Sequence, residues 1–311
     1  MRAVTFTPSR ASSRIPGSFR AARSVAAEQV LYRESLGELV ALLPGAGGAG
    51  APAGAQRPLT GDAVPSYLDR PNRSATVLSP AARKAIRQRM LLMREAALEQ
   101  IAHLTGAPSP DLARYRRELR ESDVPDVLIQ RGAGLAFALE LPQGALLYLL
   151  VRAARPRRIV ETGVRPGYST AWLLAALEAN GTGELTSLGP GPTAGRIAGV
   201  RESGVGQLVA PSLRSRWTLA LGNTEDRLRE ILAAATGIDL FFYDNGPQEA
   251  RARFELRAAW EALSDRGILL AHHVDANSAW PDFCRFQGLA PPQLLDPGPP
   301  PLGALPVRAR A

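Results

Sequence analysis

The chain has 311 residues, of which 45% are hydrophobic and 21% charged. That length suffices for one large core with an appended segment, or for two modest domains. No Gly-X-Y period occurs, which excludes collagen, and no apolar run reaches the roughly 18 residues of a membrane-spanning helix. The single cysteine, Cys284, excludes an internal disulfide. We therefore expect a soluble, cytoplasmic globular protein.

Basic residues outnumber acidic ones by 37 to 29, but Lys84 is the only lysine. Such an arginine bias is typical of a GC-rich genome. The arginines are interspersed with acids, as in residues 114–121, rather than gathered into one basic stripe. We interpret the charge as a solvated basic surface and disfavour nucleic acid or a membrane as a partner; a homo-oligomer stays open.

The first 27 residues contain five arginines and no acid, and residues 44–56 are almost entirely Gly, Ala and Pro. The first composition is shared by organelle transit peptides and by disordered bacterial N-termini, and the second predicts a linker. We favour a disordered bacterial terminus because the arginine bias runs through the whole chain. We therefore expect a disordered N-terminus and linker over 1–60 and a helical segment over 61–140.

Apolar residues at spacings of three and four, from Ile86 to Leu104, predict one amphipathic helix in the helical segment. It should begin at Ser79-Pro80 and end near Gly106. Shorter helices are expected within 111–119 and 124–129.

From Leu141 onward, short apolar strands alternate with helical segments. The predicted strands are 159–161, 184–188, 217–221, 238–243 and 267–272, and the predicted helices begin at Pro142 and cover 168–179, 225–235, 248–263 and 277–286. This alternation predicts parallel βαβ units, hence an α/β fold with a doubly wound, mostly parallel sheet over 141–288. The Pro-rich tail, 289–311, could add an edge hairpin from 293–296 and 302–307.

The turn after the first strand is the natural ligand site of a doubly wound sheet. A dinucleotide fingerprint needs Gly-x-Gly-x-x-Gly there, but Arg165 stands at the second glycine, which disfavours NAD and FAD. A nucleoside without phosphates needs only a roomy glycine turn and an acid. Glu161, Gly163 and Gly167 provide these.

The segment from Glu161 to Thr170 resembles the glycine turn of class I S-adenosylmethionine-dependent methyltransferases, in the small-molecule O-methyltransferase branch. Two further stretches, 238–244 and 267–283, resemble later motifs of the same family, of the Methyltransf_24 type. The resemblance covers roughly 141–286 and implies a Rossmann-like fold and S-adenosyl-L-methionine as the cofactor.

The resemblance also implies a set of site residues. The cofactor-binding residues would be Glu161, Gly163, Val164, Gly167, Tyr168, Ser169, Leu188, Asn223, Thr224 and Asp244. Asp244 would face the reaction centre, and Asn223 and Thr224 would lie near the adenine. Leu188 stands where relatives carry the acid that holds the ribose hydroxyls, and Pro247 replaces a histidine, so the pocket departs from the family pattern.

His272 and His273 replace acidic residues of the relatives after the fifth strand. Either could act as a catalytic base oriented by Asp244 or Asp275, or the pair could hold a divalent metal with Asp244. A third alternative is that the histidines have neither of these roles. We predict no metal. Neighbouring residues of an extended strand point to opposite faces, so only one histidine should enter the site unless the strand has ended. Trp280 is the aromatic residue expected to contact a substrate.

These observations favour an enzyme that transfers a methyl group to an oxygen, or a nitrogen, of a small molecule or sugar. The alternative is a catalytically degenerate methyltransferase fold that serves as an interaction module, which Leu188 and Pro247 favour and Glu161 opposes. A nucleic-acid methyltransferase has less support, because no Asn-Pro-Pro-Tyr motif occurs.

Overall fold

The computed structural model describes residues 79–132, 141–190, 205–235, 237–246, 248–290, 293–296 and 301–307. The predicted terminus and linker over 1–60 and Pro247 lie outside these residues. The helices are α1 Pro80–Met90, α2 Glu95–Thr105, α3 Ser109–Glu121, α4 Val124–Gly132, α5 Leu141–Ala154, α6 Tyr168–Asn180, α7 Thr224–Ala234, α8 Glu249–Ala262 and α9 Ala279–Phe286, with a 3-10 helix at Pro211–Arg216. The strands are β1 Arg158–Thr162, β2 Glu184–Pro190, β3 Trp217–Gly222, β4 Ile238–Tyr243, β5 Leu263–His272, β6 Leu294–Asp296 and β7 Leu302–Pro306.

The seven strands form one sheet in the order β3-β2-β1-β4-β5-β7-β6. Strands β1 to β5 are parallel, and β7 runs antiparallel to both β5 and β6. The predicted doubly wound, mostly parallel α/β sheet is therefore confirmed. The strand order reverses between β1 and β4, so their carboxyl ends form the crevice in which such sheets bind ligands.

Apolar side chains cover both faces of the central strands. Ile159 and Leu240 point into a layer formed with α5, α6 and the N-terminal helices, whereas Val160 and Phe241 point into a layer formed with α7, α8 and α9. Strands buried on both faces appear in the sequence as continuous apolar runs. None of the described helices is long and apolar enough to cross a membrane.

The predicted single helix from Ser79 to Gly106 is wrong: the chain forms α1 and α2, separated by residues 91–94. Ser79 does start α1, because its hydroxyl accepts the amide of Ala82 at 3.1 Å. Arg94 is extended and caps α2, which begins at Glu95. Both helices pack their apolar faces against α5, so the spacing of apolar residues continues across the break and does not reveal it.

A partly buried ion pair joins the N-terminal helices to the sheet domain. Glu118 on α3 accepts from Arg152 Nη2 and from the Tyr148 hydroxyl, each at 2.6 Å, and both donors lie on α5. Arg152 also donates to the side chain of Asn180 at the end of α6. These bonds fix α3 on the layer that carries α6, and therefore position the helical segment relative to the site.

The tail forms the predicted hairpin, and β7 pairs with β5 from Ile268 to His272. Gly303 on β7 faces Trp280 so closely that a methyl group at this glycine would stand 2.5 Å from the indole. Trp280 is consequently only 2% exposed. Its expected contact with a substrate is wrong, because the hairpin, which lies far along the sequence, covers the ring.

Candidate active site

The glycine turn brings the end of β1 against the end of β4. Gly163 has φ +93, and a methyl group there would lie 2.0 Å from the carbonyl oxygen of Asp244. The amide of Gly163 donates to Leu188 O, and that of Asp244 to Thr162 O, each at 3.0 Å. The glycine is therefore required by the crossing of two backbone segments, and it brings Asp244 directly beside the turn.

Glu161 lies below the turn and is completely buried. One carboxylate oxygen accepts the Ser169 hydroxyl at 2.6 Å, and the other accepts the hydroxyls of Thr170 and Ser187, each at 2.7 Å. Burial raises the pKa of Glu161 despite these bonds. The carboxylate faces the interior and ties α6 and β2 to β1; its contact with a cofactor stays a prediction.

Asp244 and His272 form a buried pair at the ends of the adjacent strands β4 and β5. The distance from Asp244 Oδ1 to His272 Nδ1 is 2.9 Å. Burial opposes ionisation of Asp244, but the facing His272, together with Arg165 and His273, outweighs it and holds the pKa of Asp244 below its usual range. The carboxylate is therefore ionised at neutral pH and orients the imidazole.

Both histidines reach the site, because β5 ends at His272 and His273 turns back with φ +55. Their ring centres are 4.2 Å apart. One ligand atom from each of Asp244, His272 and His273 lies within 4.8 Å of the others, so the three could hold a metal ion. Burial, and then the charge of His272, lower the pKa of His273 to about 4, so this ring is neutral at pH 7. Asp275, the other candidate for orienting a histidine, is exposed.

A cavity of about 10 Å³ lies beside the Asp244–His272 pair. Tyr168 and Ser169 at the start of α6, together with Gln143 on α5, line it with the pair. Volume of this size holds about one water molecule. The predicted residues Tyr168, Ser169, Asp244 and His272 thus all line this one cavity.

The remaining predicted residues lie around the turn or at the next strands. Val164 is buried within the turn, and Gly167 starts α6 with φ +88. Leu188 is 2% exposed and offers its carbonyl to Gly163. The Asn223 side chain caps α7 by accepting the amide of Glu225 at 2.9 Å, and Thr224 is the first residue of that helix.

Sequence reasoning missed the residues that support the site from a distance. Arg131 on α4 donates to the carbonyl oxygens of Gln207 at 2.6 Å and Leu208 at 3.0 Å. The amide of Leu208 in turn donates to Pro166 O in the glycine turn at 2.9 Å. The N-terminal helices thereby hold this segment against the turn. No sequence signal could have found an arginine 76 residues away that binds backbone carbonyls.

Glu255 on α8 is a second missed residue and is also fully buried. Its Oε1 accepts from Asn245 Nδ2 at 2.7 Å, next to Asp244. Burial raises the pKa of Glu255 to about 7. In the sequence, a glutamate one turn after Arg251 looks like part of an exposed helix face. Only the packing of α8 on the sheet shows that Glu255 is buried.

Residues 160–274 match the family model described as a methyltransferase domain. The matched span begins in β1 and includes the glycine turn, Asp244, His272 and His273. No curated protein sequence matches the chain.

Three solved structures are similar to parts of the chain. A putative O-methyltransferase from Klebsiella pneumoniae is 25% identical over 61% of this chain and 88% of its own, with a TM-score of 0.42. An O-methyltransferase from Bacillus cereus in complex with SAH is 22% identical over 55% and 75%, with a TM-score of 0.39. The O-methyltransferase TomG from Streptomyces achromogenes, in complex with SAM, is 22% identical over 56% and 75%, with a TM-score of 0.41.

The family match and the doubly wound, mostly parallel sheet agree with each other. Residues 160–274 are therefore similar to a methyltransferase domain and lie on a doubly wound, mostly parallel sheet.

Proposed function

We propose that the chain methylates a hydroxyl oxygen of a small molecule, sugars included, with His272 as the base and Asp244 as its orienting carboxylate. The observation that supports this most directly is the buried contact of 2.9 Å between Asp244 Oδ1 and His272 Nδ1. A hydroxyl group must lose its proton on methylation, and an oriented imidazole is the usual acceptor near neutral pH. An amine acceptor would need the base less.

Asp244 determines which ring nitrogen of His272 accepts the proton. Because a carboxylate only accepts hydrogen bonds, Nδ1 must donate to Asp244, which leaves the lone pair on Nε2. When Nε2 takes a proton, the imidazolium is stabilised by the adjacent anion. His273 is a weaker base at a pKa of about 4, so we assign it a packing role against the His272 ring.

The residues present fit the two charged ends of S-adenosylmethionine. Among the described residues Gly167 caps α6 without a side-chain hydrogen bond, a helix N-terminus attracts a carboxylate, and the buried Asp244 suits a sulfonium. Leu188 offers only a backbone carbonyl, already bound by Gly163, where a ribose would need an acceptor. When bound, the cofactor supplies a transferable methyl group; Asp244 and the α6 N-terminus would orient it.

A second candidate keeps methyl transfer but uses Asp244, His272 and His273 as ligands of a divalent metal. The close approach of their ligand atoms favours it. The two candidates differ in what they require of His273: the metal needs it as a ligand, whereas the base mechanism does not.

The test compares His272→Asn with His273→Asn in the full chain. Asparagine tolerates the left-handed backbone of position 273, so the second variant is a matched control. Release of S-adenosylhomocysteine is measured against a panel of phenols, alcohols and sugars, and cofactor affinity is measured by calorimetry. We expect His272→Asn to lower kcat by roughly 100- to 1,000-fold with unchanged affinity for S-adenosylhomocysteine, and His273→Asn to lower it by less than about tenfold.

Equal losses in both variants, together with inactivation of the native chain by EDTA and recovery with a divalent metal, would select the metal candidate. No calorimetric heat with S-adenosylmethionine at millimolar concentration would overturn both candidates and leave the interaction module.

A further inference from the structure

Arg165 occupies the glycine turn in a left-handed conformation, with φ +43. The turn is fixed on both sides: the amide of Gly167 donates to Val164 O at 2.7 Å, and that of Gly206 donates to Arg165 O at 3.0 Å. Glycine would adopt this backbone without strain. A strained residue that its surroundings hold in place points to a use for its side chain.

The Arg165 side chain is exposed and extends over the end of β4. A methyl group at Gly246 would stand 3.8 Å from its Nη2. The guanidinium is close enough to the reaction side to lower the pKa of both Asp244 and His273. Within the described parts of the chain, this guanidinium has no ion pair and no hydrogen bond. It is therefore an exposed cation near Asp244 that pairs with none of the described residues.

We propose that Arg165 binds a carboxylate group of the methyl acceptor, so that the substrate is a small hydroxylated acid; this inference rests on the proposed methyl transfer. A guanidinium pairs with a planar carboxylate through two parallel hydrogen bonds. One cation balances one carboxylate, whereas a doubly charged phosphate would keep a net negative charge and be repelled more strongly by the nearby Asp244.

A carboxylate could also come from the methionine part of the cofactor. The geometry favours the acceptor, because Tyr168 and Ser169 line the cavity on the α5 side of Asp244, together with Gln143. Arg165 is not among the residues that line this cavity, and its Nη2 would stand 3.8 Å from a methyl group at Gly246, after β4. The experiment separates the two sources.

The probes are benzoate and benzamide, which match in shape and differ in charge, titrated calorimetrically into the full-length protein with and without S-adenosylhomocysteine. The variants are Arg165→Gly, which suits the left-handed backbone, and Arg165→Lys, which keeps the charge. The matched control is Arg155→Gly, because Arg155 is also exposed and left-handed, with φ +48, but lies at the end of α5.

We expect the native chain to prefer benzoate to benzamide, and Arg165→Gly to weaken benzoate binding by at least about tenfold. Arg165→Lys should lose less, and Arg155→Gly should leave benzoate binding unchanged. Thermal stability of Arg165→Gly should stay equal or rise, because strain is relieved.

Three results would overturn the proposal: no preference for benzoate in the native chain, equal benzoate binding by Arg165→Gly, or a fall in its thermal stability. A selective loss of S-adenosylmethionine affinity in Arg165→Gly would overturn it too, by assigning the guanidinium to the cofactor. Failure of the native chain to bind S-adenosylmethionine would instead contradict the proposed function, while the benzoate preference could still be measured.

Discussion

The ends of β1 and β4 each carry a buried carboxylate, and the two differ in what surrounds them. Glu161 at the end of β1 accepts three hydroxyl groups, from Ser169, Thr170 and Ser187. Asp244 after β4 accepts from His272 and lies near the exposed cation of Arg165. The first carboxylate is bound by fixed, neutral donors; the second is bound by a group that can gain and lose a proton.

This difference indicates that Glu161 stabilises the fold, whereas Asp244 takes part in the proposed reaction. Three hydroxyls hold Glu161 in one position and connect β1, β2 and α6, but none of them titrates near neutral pH. An ionised Asp244 changes its interaction with His272 whenever the imidazole takes a proton. The family resemblance points to both carboxylates, whereas the contacts favour a reactive role only for Asp244.

Loss of the Glu161 carboxylate should give the largest change in stability. We expect Glu161→Ala to lower the free energy of unfolding by about 4 kcal/mol, because it leaves a cavity and three buried hydroxyls without their acceptor. Asp244→Ala removes one partner and should cost about 2 kcal/mol. Urea unfolding followed by circular dichroism measures both. Equal losses would show that the two carboxylates do not differ in structural role.

Glu255 offers a third buried carboxylate, and its effect should appear as a pH dependence. Its pKa is raised from 4.5 to about 7 in the folded chain. A raised folded pKa contributes stability below pH 4.5, and that contribution is lost as the pH rises through about 7. We expect a loss of about 3 kcal/mol across this window.

The variant Glu255→Gln isolates this contribution, because glutamine resembles the protonated acid and does not titrate. Unfolding free energies of the native chain and the variant should agree near pH 4.5 and diverge toward pH 8, with the variant more stable. Parallel pH curves would contradict the raised pKa of Glu255 in the folded chain.

The sequence predicted the sheet well because its central strands are buried on both faces. Strand β4 was placed at its observed limits, 238–243, from an uninterrupted apolar run. The break between α1 and α2 was not predictable, because both helices bury the same type of face against α5. The spacing of apolar residues indicates which face of a helix is buried, but it does not reveal a break after which the same face stays buried.

The structure brings Tyr168, Ser169, Asp244 and His272, four of the predicted site residues, to one cavity, and their roles stay predictions. Asp244 and His272 follow from the ends of neighbouring parallel strands. The sequence left open whether the strand ends before His273; the structure ends it at His272 and gives His273 a left-handed backbone. Ser187 donates to Glu161 from the adjacent strand, and Arg131 binds its carbonyls from another helix. Such contacts arise from tertiary packing and leave no local pattern.

The smallest predicted effect tests whether the Glu161 cluster serves the fold alone. Thr170→Val keeps the side-chain shape but removes the hydroxyl that donates to Glu161 at 2.7 Å. We expect a loss of about 1.5 kcal/mol in the free energy of unfolding. The control, Thr218→Val, makes the same change at an exposed site on β3 and should stay within about 0.5 kcal/mol. Calorimetry with S-adenosylhomocysteine completes the test. Unchanged affinity in Thr170→Val supports a purely structural role for Glu161. A clear loss of affinity with little loss of stability would instead place Glu161 in the cofactor site and remove its contrast with Asp244.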